Sequence, residues 1–475
     1  MSMNKYRKLF WWIIDGACIS LICICFSSCK KFVQVSLPPN EIVSASVFAD
    51  SADATSAILG IYILCMENGQ MTIGNGGLSL YSGLSGDELI PTSSTNQNYY
   101  QFYKNSLLSS NLLNESDMWS IGYQLIYQAN ACLEGVESST TLTNTLKSQL
   151  MAEAKFIRAF FYFNLVNLYG EVPLSISSNY NVNAIMGRSS VDSVYDQIFN
   201  DLSSALKLFP TQITLGSSRP NYLSTEALLA KAYLYKSQWA NAISASTEVI
   251  NSGLYQLDTL NGIFLEGSTE AIWQLVPVLA DYSTDEGLFY LPSSNNVKPG
   301  YIISSFLLNA FEQGDLRRIN WLDSNIVNGT IYYYPYKYKL PYDLGNVPNE
   351  AFTILRLSEQ YLIRAEAEAQ TDDISDAVGD LNIIRVRAGL PDYSGGMDKI
   401  SVLTAIYHER QVELFCECGN RWFDLKRTNT LNQVMGGSNG VCASKGGTWV
   451  LSADVYPIPL SQILANSSLI QNNGY

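Results

Sequence analysis

Histidine is all but missing: His408 is the single imidazole in 475 residues. One histidine excludes His-rich metal sites and paired-histidine acid–base chemistry. Charge is scarce too, with Asp, Glu, Lys and Arg making up 15% of the chain, and 29 basic against 43 acidic side chains leave a formal net charge of −14. Nucleic acid binding needs clustered Lys and Arg to displace counterions, and adhesion to anionic lipid needs the same, so this balance argues against both. Long apolar runs are lacking beyond residues 9–26. No P-loop occurs, and GNGG at 74–77 lacks the last glycine of a dinucleotide fingerprint. What the chain has in quantity is tyrosine, 30 residues of it.

Nine cysteines are present, and three of them, Cys23, Cys25 and Cys29, crowd into LICICFSSCKKF at 21–32. Lys5, Arg7 and Lys8 precede the apolar run, and Ser27 and Ser28 close it. A basic start, an apolar stretch and a small-residue exit predict a signal peptide over residues 1–28. Retention of the run as a transmembrane anchor is disfavoured by Asp15, which would cost about 2.5–3.5 kcal/mol in mid-span. Cys23 and Cys25 then behave as small hydrophobes of a discarded segment. Cys29 stands where the cut falls, and the arrangement resembles a bacterial lipobox, whose cysteine is acylated and becomes the first residue of the mature chain. Phe26 departs from the aliphatic residue usual in that pattern. Each buried acyl methylene contributes about 0.8 kcal/mol, so two chains or more hold a protein stably on a membrane. Cleavage takes away three basic and one acidic side chain and moves the net charge from −14 to −16. Cys65, Cys132, Cys416, Cys418 and Cys442 remain. Their odd number excludes a full disulfide framework and leaves one or two bridges open, including one from Cys442 to Cys416 or Cys418.

The rest of the chain is long for a single core, which points to several domains or a solenoid. Helical patterns run through MWSIGYQLIYQANACLEGV and through LKSQLMAEAKFIRAFFYFNLVNLYGEVPL, the latter stopped by Gly170 and Pro173. VDSVYDQIFNDLSSALKLFP follows, with Ser190 as its N-cap and Pro210 as its stop. STEALLAKAYLYKSQWANAISASTEVINSGLY reads as two helices around a turn at Gln238–Trp239. Alanines at 227, 230, 232, 240, 242 and 245 allow close approach, an arrangement that resembles a tetratricopeptide repeat. Leu357, Tyr361, Ala365 and Ala369 line one face of a later helix. Ala377, Leu381, Ile384 and Ala388 line its partner, and VLTAIYHERQVELFCE makes a last one. Residues 69–110 and 255–350 interrupt this pattern with Tyr, Pro, Gly and Asn and with strand-like runs such as EAIWQLVP and TIYYYPYKYKL. The fold expected is mainly α: an interrupted tetratricopeptide-like helical-repeat scaffold carrying loop-rich insertions and a few short strands.

GGSNG at 436–440 has the form of a nucleophile elbow with Ser438 as nucleophile. That motif needs a preceding strand, a following helix and a later histidine, but His408 comes earlier and the glycine-rich stretch runs on. His408, Cys416, Cys418 and Cys442 form a soft-ligand set by type, yet a C-x-C pair on a helix points its sulfurs about 200° apart. Burial as small hydrophobes is therefore preferred to zinc binding. Glu366 and Glu368 fall on a face read as exposed by helical spacing. No catalytic residue, metal or cofactor is expected, a structural calcium ion being left open. In HERQVELFCECGNRWFDLKR the charges Glu409, Arg410, Glu413, Arg421, Asp424 and Arg427 predict an ion-pair lattice between helix ends, with a ligand site as the alternative.

Five blocks then add up to a known pattern. They are MWSIGYQLIYQANACLEGV, MAEAKFIRAFFYFNLVNLYGEVPL, RLSEQYLIRAEAEA with DLNIIRVRAGLP, HERQVELFCECGNRWFDLKRTN and VYPIPLSQILANSSLIQNNGY. In that order, behind a lipobox-like start, they resemble the SusD/RagB family of outer-membrane lipoproteins from Bacteroidetes. Cys418 and Asn420 stand where many relatives carry tryptophan and histidine, and KKFVQ after Cys29 lacks the acidic run linked to surface export. The resemblance implies four tetratricopeptide-like helix pairs supporting an irregular ligand-binding half, within one SusD-like domain over 29–475. It also implies lipid anchoring at the outer membrane, facing outward, and partnership with a SusC-like TonB-dependent transporter barrel. The cargo it implies is an oligosaccharide, or in some members a peptide, with no catalytic residues. A scaffold that docks on the transporter without binding cargo is the alternative of another class.

Sugar binding needs flat aromatic faces against C–H patches, with amides or carboxylates for the hydroxyls. YSGLSGDEL supplies Tyr81 and Asp87, the latter near a position the family reserves for an acid. NQNYYQFY supplies Asn96, Asn98, Tyr99 and Tyr100, and the second irregular region supplies Tyr282, Tyr290 and Tyr332. These tyrosines match no fixed motif, and packing competes with ligand contact at each. Trp273, inside EAIWQLVP, is expected in the core.

Overall fold

Capping residues fix where the helices begin and end. A computed structural model describes residues 44–67, 70–210, 216–279, 282–342 and 349–475. The expected signal peptide and Cys29 lie outside the described residues. Helix α1 (Ser51–Met66) starts at Asp50, whose carboxylate accepts from the Ala52 and Asp53 N–H groups. Two shorter helices follow, α2 (Gly77–Ser85) and α3 (Gln97–Tyr103). A π-helical segment, Asn114–Ser120, runs directly into α4 (Ile121–Ser138). Helix α5 (Asn144–Tyr169) begins at Thr143 and stops at Gly170, whose φ of 73° suits a residue without a Cβ. Helix α6 (Val191–Leu208) starts at Ser190, which accepts from the Ser193 N–H as its sequence predicts. Asn221 and Ser224 close a capping box on α7 (Tyr222–Tyr235), and a tight turn leads into α8 (Trp239–Asn251). The C-terminal part adds α9 (Leu357–Gln370), α10 (Ile374–Arg387), α11 (Lys399–Glu413), α12 (Asn420–Arg427) and α13 (Leu460–Ala465).

The long helices stack in sequence: α4 on α5, α5 on α6, α7 on α8, α8 on α9, and α9 on both α10 and α11. This is the tetratricopeptide-like scaffold expected. Ala227, Ala230, Ala232, Ala242 and Ala245 are buried between α7 and its neighbours, which lets the axes approach closely; Ala240 is exposed. A continuous apolar core joins α9, α10 and α11 through Leu362, Ala365, Ala377, Leu381, Ile384, Val402 and Ile406. Of these, Ala365, Ala377, Leu381 and Ile384 lie on the predicted i, i+4 faces, because each helix buries one stripe.

Three antiparallel two-stranded sheets break up the repeat. β1 (Leu89–Pro91) pairs with β3 (Tyr301–Ile303), β2 (Ala271–Leu275) with β6 (Phe352–Arg356), and β4 (Leu322–Val327) with β5 (Thr330–Pro335). Trp273 on β2 lies in the core as expected, its ring held edge-on by Phe156 and Phe160 of α5 at 4.9 and 5.1 Å. β1–β3 ties the first irregular region to the second. Residues 48–475 form one compact unit. Among the described residues no helix is long and apolar enough to cross a membrane.

Two expectations are corrected. Glu366 and Glu368 are buried, not exposed: Arg427 grips Glu366 through both guanidinium Nη atoms, and Arg364 lies 3.7 Å from Glu368. The bridge weighed for Cys442 is not formed, since Cys65, Cys132, Cys416, Cys418 and Cys442 are all free and buried. Burial alone pushes the Cys65 thiol up to about 12, which suits inert packing.

Candidate functional site

The irregular regions are pinned to the helices by buried charge. Arg356, at the end of β6, reaches Glu270 at 3.0 Å, Glu413 at 2.5 Å and Glu417 at 2.7 Å. Arg317 binds Asp315, Glu409 and Glu413 at 2.8, 2.6 and 3.0 Å, and Lys337 binds Glu417 at 2.5 Å. Arg387 of α10 completes the hub on Glu270 and Glu413. Burial pushes the Glu413 carboxyl up, but the guanidinium groups of Arg387, Arg356 and Arg317 outweigh it and hold the group well below the usual carboxylate range. A second knot joins Arg410 to Asp424 at 2.8 Å and Arg427 to Asp424 at 2.8 Å. Burial opposes ionisation of Asp424 too, yet Arg410 and Arg427 bring it down to about 2. The lattice predicted for α11 and α12 therefore exists, as structure.

On this frame the tyrosines divide into supports and open faces. Tyr81 is fully buried and its hydroxyl donates to Asp117 at 2.6 Å. Tyr290 is buried as well, 6.3 Å edge-on to Tyr301. Asp87 is buried and engaged by Arg421 at 2.6 and 2.9 Å. The expectation that Tyr81, Tyr290 and Asp87 meet ligand is corrected here: Tyr81 and Asp87 are spent on internal partners, Tyr290 is buried with its hydroxyl unpaired, and none of the three presents a face to solvent. Their work is to carry what lies outside them. Tyr81 stacks on Phe102 at 4.8 Å and on half-buried Tyr99 at 6.0 Å, and Tyr99 meets Tyr301 edge-on at 5.7 Å.

The remaining candidates reach the surface. Asn96 caps α3 by accepting from the Asn98 N–H, so its carbonyl oxygen is occupied. Asn98 accepts from Asn111 through its main chain. Tyr100 is half-buried, with the Lys104 ammonium 5.4 Å from its ring centre. Lys298 lies 4.9 Å over Tyr332, and Asn325 of β4 holds that lysine's loop through the carbonyls of Ser294 and Val297. Tyr282 and Tyr342 come from separate loops, lie 5.9 Å apart with rings tilted by 56°, and are 42% and 48% exposed. Tyr301, Tyr342 and Asp117 were not singled out from sequence. Tyr301 is one apolar residue of a short strand, and nothing local marks the other two.

GGSNG lies in a loop after the short helix Leu431–Met435, with Gly437 at a φ of 76°, and a strand does not lead into it. The geometry of a nucleophile elbow is thus not made. His408 is bonded through Nε2 to the Ala310 carbonyl. Among the described residues no group of three or more His, Cys, Asp and Glu side chains is placed to hold a metal ion.

Fold and surface together define a helical-repeat scaffold with an aromatic, loop-built face. Comparison with known proteins places it further. A family model described as starch-binding associating with outer membrane matches residues 79–234, and the SusD family model matches residues 310–475. A SusD-like protein of Formosa agariphila is 25% identical, the match covering 96% of this chain and 98% of that one. The starch-binding protein SusD of Bacteroides thetaiotaomicron is 34% identical over 28% of this chain and 23% of its own. The chain belongs to the SusD/RagB family. Among solved structures, a SusD superfamily protein from Bacteroides vulgatus aligns with a TM-score of 0.78 at 21% identity, over 90% of this chain and 99% of that one. A laminarin-binding SusD-like protein aligns with a TM-score of 0.72 at 21% identity, over 89% and 99%. At these identities the structural likeness is one of fold.

Proposed function

We propose that this protein captures a neutral oligosaccharide on its irregular half and passes it to a SusC-like TonB-dependent transporter. Cys29 serves as the acylated anchor at the outer membrane, and the mature domain begins there. The observation that carries the reading is the Tyr282–Tyr342 pair: two rings from different loops, tilted toward each other and about half exposed. Rings placed this way offer flat faces to sugar C–H patches. The names of relatives that bind starch and laminarin support a glycan over a peptide. Binding, not turnover, is the activity.

Isothermal titration of the mature chain against neutral glucan hexaoses and a peptide panel tests this. Glycan binding that Tyr282→Ala with Tyr342→Ala weakens about tenfold is the expected result. Binding to peptides alone, or to nothing, overturns it. Mass spectrometry of the native protein checks the anchor; an unmodified Cys29 or an uncleaved N-terminus removes that part.

A further inference from the structure

A second surface lies away from the loop tyrosines and shares no residue with them. It is a cavity of about 560 Å³ between the start of α4, the one-turn helix Tyr180–Asn183 and α13, a size within the range of small-molecule sites. Trp119, Tyr123 and Tyr127 follow one another at i, i+4 and i+8, so they line one wall. Trp119 is its buried end, 4.9 Å from the Tyr123 ring, and Tyr127 its open end, 45% exposed. Tyr123 is fixed by donating to the Pro173 carbonyl at 2.9 Å. Tyr180 stands across the mouth, 73% exposed.

The polar groups of the cavity are neutral, and two of its amides, Gln124 and Gln462, are unspent. Asn183 donates its amide nitrogen to Ser177 at 2.8 Å, which leaves its carbonyl oxygen buried and without a hydrogen-bond partner. Gln124 and Gln462, on opposite walls, make no side-chain hydrogen bond among the described residues, and no charged side chain lines the cavity. The lining comes from helices and loops, and no named strand contributes to it, so an extended peptide finds no strand edge to pair with. An ionic ligand finds no counter-charge.

We infer that this cavity is a second binding site for a neutral oligosaccharide, with sugar rings laid on Tyr127 and Tyr180 and hydroxyls paired to Gln124 and Gln462. The inference rests on the reading of the protein as a glycan binder, and the two are tested apart. Titrations use malto-, laminari-, cello- and mannohexaose on the mature chain, with circular dichroism to verify folding of each variant. Tyr127→Ala with Tyr180→Ala is expected to remove one of two binding events, or to weaken total affinity about tenfold, while the loop events persist. Gln462→Leu, which keeps shape and loses the amide, is expected to act in the same direction.

Unchanged binding in both groove variants, with loss in Tyr282→Ala and Tyr342→Ala, overturns the second site and leaves the proposed function standing. Binding of no hexaose by the parent chain overturns both. Ile185 and Leu464 are exposed beside the cavity, so protein contact is the competing use. Loss of a co-purifying membrane barrel in the groove variants, with sugar binding intact, decides for that contact and against the sugar site.

Discussion

Helix α11 has two sides, and they belong to two kinds of protein interior. Val402 and Ile406 join the apolar core of α9 and α10, while Glu409 and Glu413 face Arg317, Arg356 and Arg387. The helical half is held chiefly by area, regular stripes meeting along the helices, with buried pairs such as Arg158–Asp201 between α5 and α6 added to it. A loop-rich segment has no stripe to offer, so the irregular half is attached at points instead, by arginines whose planar groups accept only one geometry. Buried pairs of this sort add little net stability against apolar replacements, but removing one partner alone is severe. What distinguishes the halves is therefore the manner of failure.

Arg356→Met breaks the comparison most sharply. It leaves Glu270, Glu413 and Glu417 with fewer counter-charges, and a loss of about 3–5 kcal/mol is expected in urea titration. Leu381→Ala, in the apolar core, is expected to cost about 2–5 kcal/mol through its cavity, with no dependence on pH.

Acidity tests the buried charge of both halves. The depressed carboxyls, Glu413 and Asp424, contribute stability that is present above the ordinary carboxylate range and lost as pH falls through it toward 2. Four others run the opposite way. Burial raises Glu88 to about 8, and Asp285, Glu350 and Glu368 to about 7. Their contribution is fully present below the ordinary range and lost as pH rises through those values. Lys445 and Lys426, lowered by burial to about 7 and about 8, lose stability as pH falls to those values and are spent below 7. Denaturation midpoints should thus rise from pH 7 to about pH 5 and drop below pH 4; a flat profile refutes this.

Thr143→Ala removes the hydroxyl that caps α5 and should cost about 1 kcal/mol. The smallest effect is expected at the proposed binding face, where Tyr282→Ala and Tyr342→Ala should each change stability by less than about 0.5 kcal/mol while altering glycan affinity.

Much of this was legible in the chain. Ser190 and Gly170 mark helix ends because caps are local chemistry, and the alanines of α7 and α8 mark close packing because a helix repeats its faces. The charges of α11 and α12 announced a lattice by their number in an otherwise charge-poor chain. Other features were hidden because their partners are remote. Glu366 looks like a surface acid until Arg427, 61 residues on, closes over it. Asp87 looks like a ligand contact until Arg421, 334 residues on, takes both its oxygens. Tyr81 has the type of a sugar platform, and only the fold turns it inward onto Asp117. Helical spacing gives an angle around one axis; it does not say what stands opposite.

The charge hub also sets an order of events in synthesis. Arg317 must wait for Glu413, 96 residues later, and Lys337 for Glu417, 80 residues later. At typical rates of elongation the first delay is roughly 5–20 s. Through that interval Arg317 has only its neighbour Asp315 to meet and Lys337 lacks Glu417, so the charge hub that pins the irregular half closes only once the C-terminal helices are present.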